Sequence, residues 1–109
     1  MNNENWDLIY SYTADQAVED GVLVKPNPKA YPNHLVTNAL HHAILEKVGE
    51  EGYERAIHVL FLDAALTIMP GDEEEHLWTD GLEGNVTGKT IWIARNELGG
   101  LTLMFPEDY

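Results

Sequence analysis

The side chains of this 109-residue sequence that could move a proton, hold a cation or meet a basic surface are five histidines and nineteen carboxylates. Nucleophiles are scarce: Ser11 is the sole serine and there is no cysteine. The histidines, His34, His41, His42, His58 and His76, form no HxH, HExxH or His-x3-His pattern. His41 and His42 are adjacent, so on a helix they point about 100° apart and cannot share one ion. "DEEEH" (72–76) sets four carboxylates beside an imidazole. Exposed acidic loops of that kind hold water and loose counterions, so no metal and no cofactor is expected. Asp63 interrupts the apolar run "HVLFLDAALTIM" and His41 falls in an apolar helical stripe. An unpaired buried charge is costly, so the two are expected either to pair with each other or to find backbone partners. A His–Asp pair without a serine in a strand–turn–helix elbow does not make a hydrolase, and no enzymatic activity is expected. The glycines of "TDGLEGNVTGK" match neither GxxxxGK[ST] nor GxGxxG and read as turns.

Nineteen acids against six bases leave a net charge of −13. Such a surface repels nucleic acid and anionic lipid, which leaves basic proteins as partners and disfavours direct binding to DNA, RNA or a membrane. The acids cluster at Asp15, Glu19 and Asp20, at Glu46, Glu50, Glu51 and Glu54, at Asp72, Glu73, Glu74 and Glu75, and at Glu107 and Asp108. Asp15–Glu19, Glu46–Glu50 and Glu50–Glu54 are i,i+4 pairs, each costing a helix about 0.2–0.5 kcal/mol. Duplex DNA carries one charge per ~1.7 Å of axis, and carboxylates ~5–6 Å apart on successive helical turns can stand where phosphates stand. The acidity therefore has two readings: a surface shaped for a basic cleft, or a means of staying dissolved. Among the strand aromatics Trp78, Trp92, Tyr10, Tyr12 and Phe105, Trp92 and one or two tyrosines are expected on the exposed sheet face as interface anchors, with Trp78 close behind the acidic loop; cross-strand packing is the other reading.

These residues need elements to position them. "DLIYSYT" (7–13) alternates with period two and reads as a strand. Thr13 and Gln16 form a capping box for a short helix over about 14–20, closed by Gly21. "VLVKP" (22–26) is a second short strand, and "PNPKAYPN" (26–33), with three prolines, is a loop. Thr37 caps "NALHHAILEKVG", which ends at Gly49; Leu40, His41, Ile44, Leu45 and Val48 share one face. "YERAIHVLFLDAALTIM" (53–69) is apolar almost all round, which predicts a helix buried on several sides. Three strands follow in "EHLWTD" (75–80), "KTIWIARN" (89–96) and "LTLMFP" (101–106), the last two as an antiparallel hairpin. Ile91 and Ile93 fall on one face of their strand and Trp92 on the other. The fold class expected is α+β: a single domain, residues 1–109, with a small antiparallel sheet and a C-terminal meander on two to three helices.

Forty-four per cent hydrophobic content and ten aromatics argue for a folded chain. The absence of cysteine excludes disulfides, thiolate zinc sites and iron–sulfur clusters and suits a reducing compartment. "MNNENWDLIYSY" lacks the basic and apolar regions of a signal peptide, and no apolar run reaches the ~20 residues of a membrane helix. The sequon Asn85-Val86-Thr87 is therefore expected to be accidental.

"IYSYTADQAVEDGVLV" (9–24) and, more weakly, "GGLTLMFPED" (99–108) resemble the two ends of a family of small, functionally uncharacterised proteins of bacterial plasmids, phages and integrated elements. Between them the likeness is one of element order only. The resemblance implies no catalytic residues; it implies an accessory protein of a mobile element in the bacterial cytoplasm. Such elements carry small inhibitors of host nucleases, of anti-CRISPR and antirestriction type. The expectation is then an acidic, non-enzymatic DNA mimic that blocks a CRISPR effector or restriction nuclease. The alternative is a structural or interaction accessory domain whose acidity serves solubility and whose aromatics mediate self-association as a homodimer.

Overall fold

The computed structural model describes residues 14–68, 76–79, 82 and 84–109. The strand expected at 7–13, Thr13 of the capping box and the acids at 72–75 lie outside them. The chain runs α1 (Ala14–Glu19), β1 (Leu23–Val24), β2 (Leu35–Thr37), α2 (Asn38–Ile68), β3 (Leu77–Trp78), β4 (Trp92–Arg95), β5 (Leu101–Met104) and a closing 3₁₀ turn (Pro106–Asp108). The α+β expectation holds: among the described residues a five-stranded sheet, ordered β1-β2-β5-β4-β3, carries the helices.

Helix α1 ends in a Schellman motif, with Val22 N–H donating to Ala17 O (2.9 Å) and Gly21 N–H to Val18 O (3.1 Å). The meander β3-β4-β5 is antiparallel, pairing Leu77 with Ala94 and Ile93 with Leu103. The expectation of a wholly antiparallel sheet fails at its centre. There β2 pairs in parallel with β5, Leu35 opposite Thr102 and Val36 opposite Leu103. The sequence pattern assigns no strand to Leu35 and Val36, between the loop at 26–33 and the helix cap Thr37. The three residues of β2 are all buried, and a strand that short shows no period of its own. Thr37 does both jobs: it closes β2, and its hydroxyl accepts the Leu40 N–H (3.4 Å) at the first turn of α2 while donating to Asp108 Oδ2 (2.8 Å).

Gly49 divides α2 into two arms, at φ 71° and ψ 175°. That conformation is essentially restricted to glycine, because a Cβ would crowd the backbone carbonyls. Leu40 and Ile44 from the first arm and Ile57 and Phe61 from the second bury against Val36, Ile93 and Leu103 of the sheet. Each such side chain contributes about 1.5–3 kcal/mol when fully removed from water. The second arm was expected to be enclosed. Instead, Ile57, Leu60, Phe61 and Ala64 face the sheet, while Val59, Leu62 and Leu66 remain 46%, 52% and 58% exposed. Among the described residues no helix is long and apolar enough to cross a membrane.

Candidate functional site

The break at Gly49 sets the position of the most prominent acids. Glu46 closes the first arm, and Glu50, Glu51 and Glu54 open the second, all four exposed. Glu46 and Glu50 were expected on one continuous helical turn, but Gly49 interrupts it, so their i,i+4 geometry is not formed. Glu50 and Glu54 keep theirs. Lys47 and Arg55 stand in the same segment, so the corner is rich in carboxylates without being purely negative.

A hydrogen bond fixes the angle of the two arms. The Tyr53 hydroxyl is hydrogen-bonded to His41 Nδ1 at 2.6 Å, with the rings edge-on at 5.0 Å. On an unbroken helix, positions 41 and 53 would lie about 18 Å apart along the axis, so this bond exists only because the chain turns at Gly49. His41 is thereby satisfied, and the expected His41–Asp63 pair does not form. Asp63 is exposed, its backbone carbonyl accepting the Thr67 hydroxyl at 2.8 Å. Burial, with some repulsion from His42, holds the His41 imidazole below its ordinary 6.5. Burial also pushes the Tyr53 phenol up to about 12, keeping it a donor at neutral pH.

Beside the corner, loop 26–33 and the second arm enclose an open groove of about 430 Å³ lined by Asn27, Ala30, Tyr31, Glu51, Glu54, Arg55 and His58. An aromatic cluster supports its wall. Tyr31 stacks on His34 at 5.4 Å, both contact Phe61, and the Tyr31 hydroxyl is hydrogen-bonded to His58 Nδ1. His34 Nδ1 accepts the Leu101 N–H at 3.0 Å, and burial holds this imidazole below 6.5. Both His58 and His34 are thus held by neighbours, His58 by Tyr31 and His34 by the Leu101 amide. Carboxylates beside an aromatic face suit a guanidinium or ammonium group. Among the described residues no three His, Asp or Glu side chains are grouped to hold a metal ion.

The other expected site residues are dispersed. Glu19 and Asp20 are exposed at the end of α1, and no side-chain placement is described for Asp15. Asp72, Glu73, Glu74 and Glu75 lie outside the described residues. Trp78 belongs to the core at 9% exposure, with the Arg95 guanidinium 5.1 Å over its ring, so it is not displayed as an interface anchor. Trp92, on the opposite face from Ile91 and Ile93, is half-buried against Tyr109 at 5.7 Å. The Asn85 carboxamide is engaged on both ends, donating to Leu82 O and Lys89 O (each 2.7 Å) and accepting from Thr87, so it organises its own loop. The apolar side of α2 went unforeseen; its signal, Val59, Leu62 and Leu66 at alternating spacings of three and four, was present in the sequence.

No protein-family model matches the chain, no curated protein matches it, and no solved structure matches it.

Proposed function

We propose that this protein is a non-enzymatic acidic inhibitor from a bacterial mobile element, working in the host cytoplasm by occupying a basic nucleic-acid channel of a CRISPR effector or restriction nuclease. The observation that carries the reading is exposure. All ten acids whose side chains are described face solvent, four of them around the Gly49 corner. Lysines and arginines that normally hold phosphates would meet Glu46, Glu50, Glu51 and Glu54 instead, with Glu51, Glu54 and the Tyr31 ring receiving one guanidinium in the groove. Inhibition is then steric and electrostatic exclusion, and the net charge of −13 speeds the encounter. Glu19 and Asp20 at the end of α1 are exposed as well and need not touch the same partner.

A direct test titrates the protein into complexes of fluorescent DNA with purified RNA-guided and restriction nucleases at several salt concentrations. Competitive displacement that weakens steeply with ionic strength supports the reading, because exposed charges are screened beyond ~8–10 Å at physiological salt. Displacement of no member of the panel, or displacement indifferent to salt, counts against it. The alternative, an interaction domain acidic only for solubility, has one observation in its favour: the uncovered apolar side of α2.

A further inference from the structure

We propose that His34 is a pH-sensitive latch: its neutral ring ties the loop 26–33 to the start of β5, and a proton on Nδ1 frees that joint together with the Tyr31 wall of the groove. The donor identifies the state of the ring. His34 Nδ1 accepts from the Leu101 N–H at 3.0 Å. A backbone amide only donates, so Nδ1 must present a lone pair and the neutral ring carries its proton on Nε2. The bonds of His41 and His58 impose no such constraint. They are made to the hydroxyls of Tyr53 and Tyr31, which donate or accept and so keep a bond to either form of the ring.

The surroundings offer a charged His34 no substitute. Tyr31 stacks on the ring at 5.4 Å and 15°, and Phe61 packs against it at 4.6 Å. Gly100 lies so near that a Cβ there would come within 2.7 Å of Nδ1. A half-turn of the ring would show the Leu101 amide a carbon in place of Nδ1, and a carbon accepts nothing. Protonation therefore sets two donors face to face and leaves a part-buried amide without its acceptor. The groups around the ring are Tyr31 from the loop, Phe61 from α2, with His58 reached through the Tyr31 hydroxyl, and Gly100 and Leu101 at the start of β5. Of the charged side chains on these elements, Glu51, Glu54 and Arg55 line the groove with Tyr31, while Lys29, Asp63 and Glu97 are exposed. Burial holds the imidazole below its ordinary 6.5.

The position of the latch sets what moves. The parallel pairing of β2 with β5 begins one residue later, at Leu35 opposite Thr102, so release frays the pair from its end. Asn96 still donates to Asn33 O at 2.9 Å and tethers the loop, which keeps the opening local. Tyr31, stacked on His34, carries the change to the groove. Acid then loosens the groove wall. Under the inhibitor reading, on which this last consequence rests, a basic side chain seated there is let go as pH falls. The latch itself needs no partner.

NMR of the full chain from about pH 8 to about pH 5 tests it, without any nuclease present. The His34 ring protons, the Leu101 amide and the Tyr31 ring should change with one midpoint, below 6.5. Hydrogen exchange at Leu101, normalised to the intrinsic rate at each pH, should lose protection about tenfold across that midpoint, as for one hydrogen bond. The amides of Ile93 and Leu103, paired in the middle of the sheet, should keep their protection. His34→Gln supplies an acceptor that does not titrate and should abolish the step at Leu101 and Tyr31. His34→Phe keeps the stacking without the acceptor and should leave Leu101 poorly protected at every pH. A Leu101 amide or Tyr31 ring indifferent to protonation of His34, a loss shared equally by Ile93 and Leu103, or the same step in His34→Gln overturns the proposal.

Discussion

Replacing Gly49 by alanine tests how the two arms of α2 are held. At φ 71° and ψ 175° a Cβ would touch nothing within 4 Å outside its own chain neighbours, so the cost is backbone conformation and not collision with the core. Such a conformation costs a non-glycine residue about 1–3 kcal/mol. Restricting the unfolded chain returns about 0.4–1 kcal/mol, leaving a net loss near 1–2 kcal/mol. Unfolding entropy of about 2.1 cal/mol/K per residue converts this, for a chain of 109 residues, to a fall of roughly 4–9 °C in Tm. Asparagine should not rescue, because ψ 175° lies outside the left-handed helical well that asparagine tolerates. The loss is read by calorimetry, and the geometry by spectrophotometric titration of tyrosine. If the variant straightens the helix, Tyr53 leaves His41 and its phenol returns from about 12 towards the ordinary 10.0. An alanine variant with unchanged Tm and an unchanged Tyr53 titration would refute the reasoning.

Asn96 ties the β4–β5 turn to the loop before β2, donating to Asn33 O (2.9 Å) and Thr102 Oγ1 (3.2 Å) and accepting from the Leu98 and Gly100 amides (each 3.0 Å). Asn96→Ala should cost about 2–4 kcal/mol in denaturant unfolding; a loss under about 1 kcal/mol contradicts the role given to these bonds. Gly100→Ala should also destabilise, because its Cβ would meet Asn33 O at 2.1 Å and that oxygen is backbone and cannot swing away. About 1–3 kcal/mol is expected from the enforced shift, and a neutral result in thermal unfolding would mean the loop moves freely. His34 and His41 should titrate below 6.5 by NMR of their ring protons. For a base whose folded pKa is depressed, the unfolded chain binds more protons below 6.5, so their contribution to stability is full above that pH and declines as pH falls towards the folded values. Midpoints at or above 6.5 for both rings would contradict the burial assigned to them.

Much of the scaffold was legible in the sequence, and the failures share a cause. Period-two alternation located β3, β4 and β5, while Gly21 and Gly49 marked helix ends because their neighbours could not supply those backbone angles. Strand β2 escaped because "LVT" sits between a proline-rich loop and a helix cap, and its identity comes from parallel pairing with residues far away in sequence. His41 was placed correctly in an apolar stripe but given the wrong partner. Tyr53 reaches it only through the turn at Gly49, and residue types alone do not supply that angle. The second arm of α2 was read as enclosed because composition records how apolar a helix is and not how many neighbours cover it. Trp78 had two readings on a short strand, and the core took it. The carboxylates were the easiest to place, since nothing in a chain with six bases could have neutralised them in the interior. Their gathering at a corner needed the structure.

The most direct measurement is inhibition of a nuclease displaced from DNA by the parent protein, repeated with Glu46, Glu50, Glu51 and Glu54 all changed to glutamine. These side chains are exposed, so thermal stability should be unchanged or slightly raised as like charges are removed. The account predicts a loss of affinity of about tenfold or more and a shallower dependence on salt. Full potency with an unaltered salt dependence would contradict it.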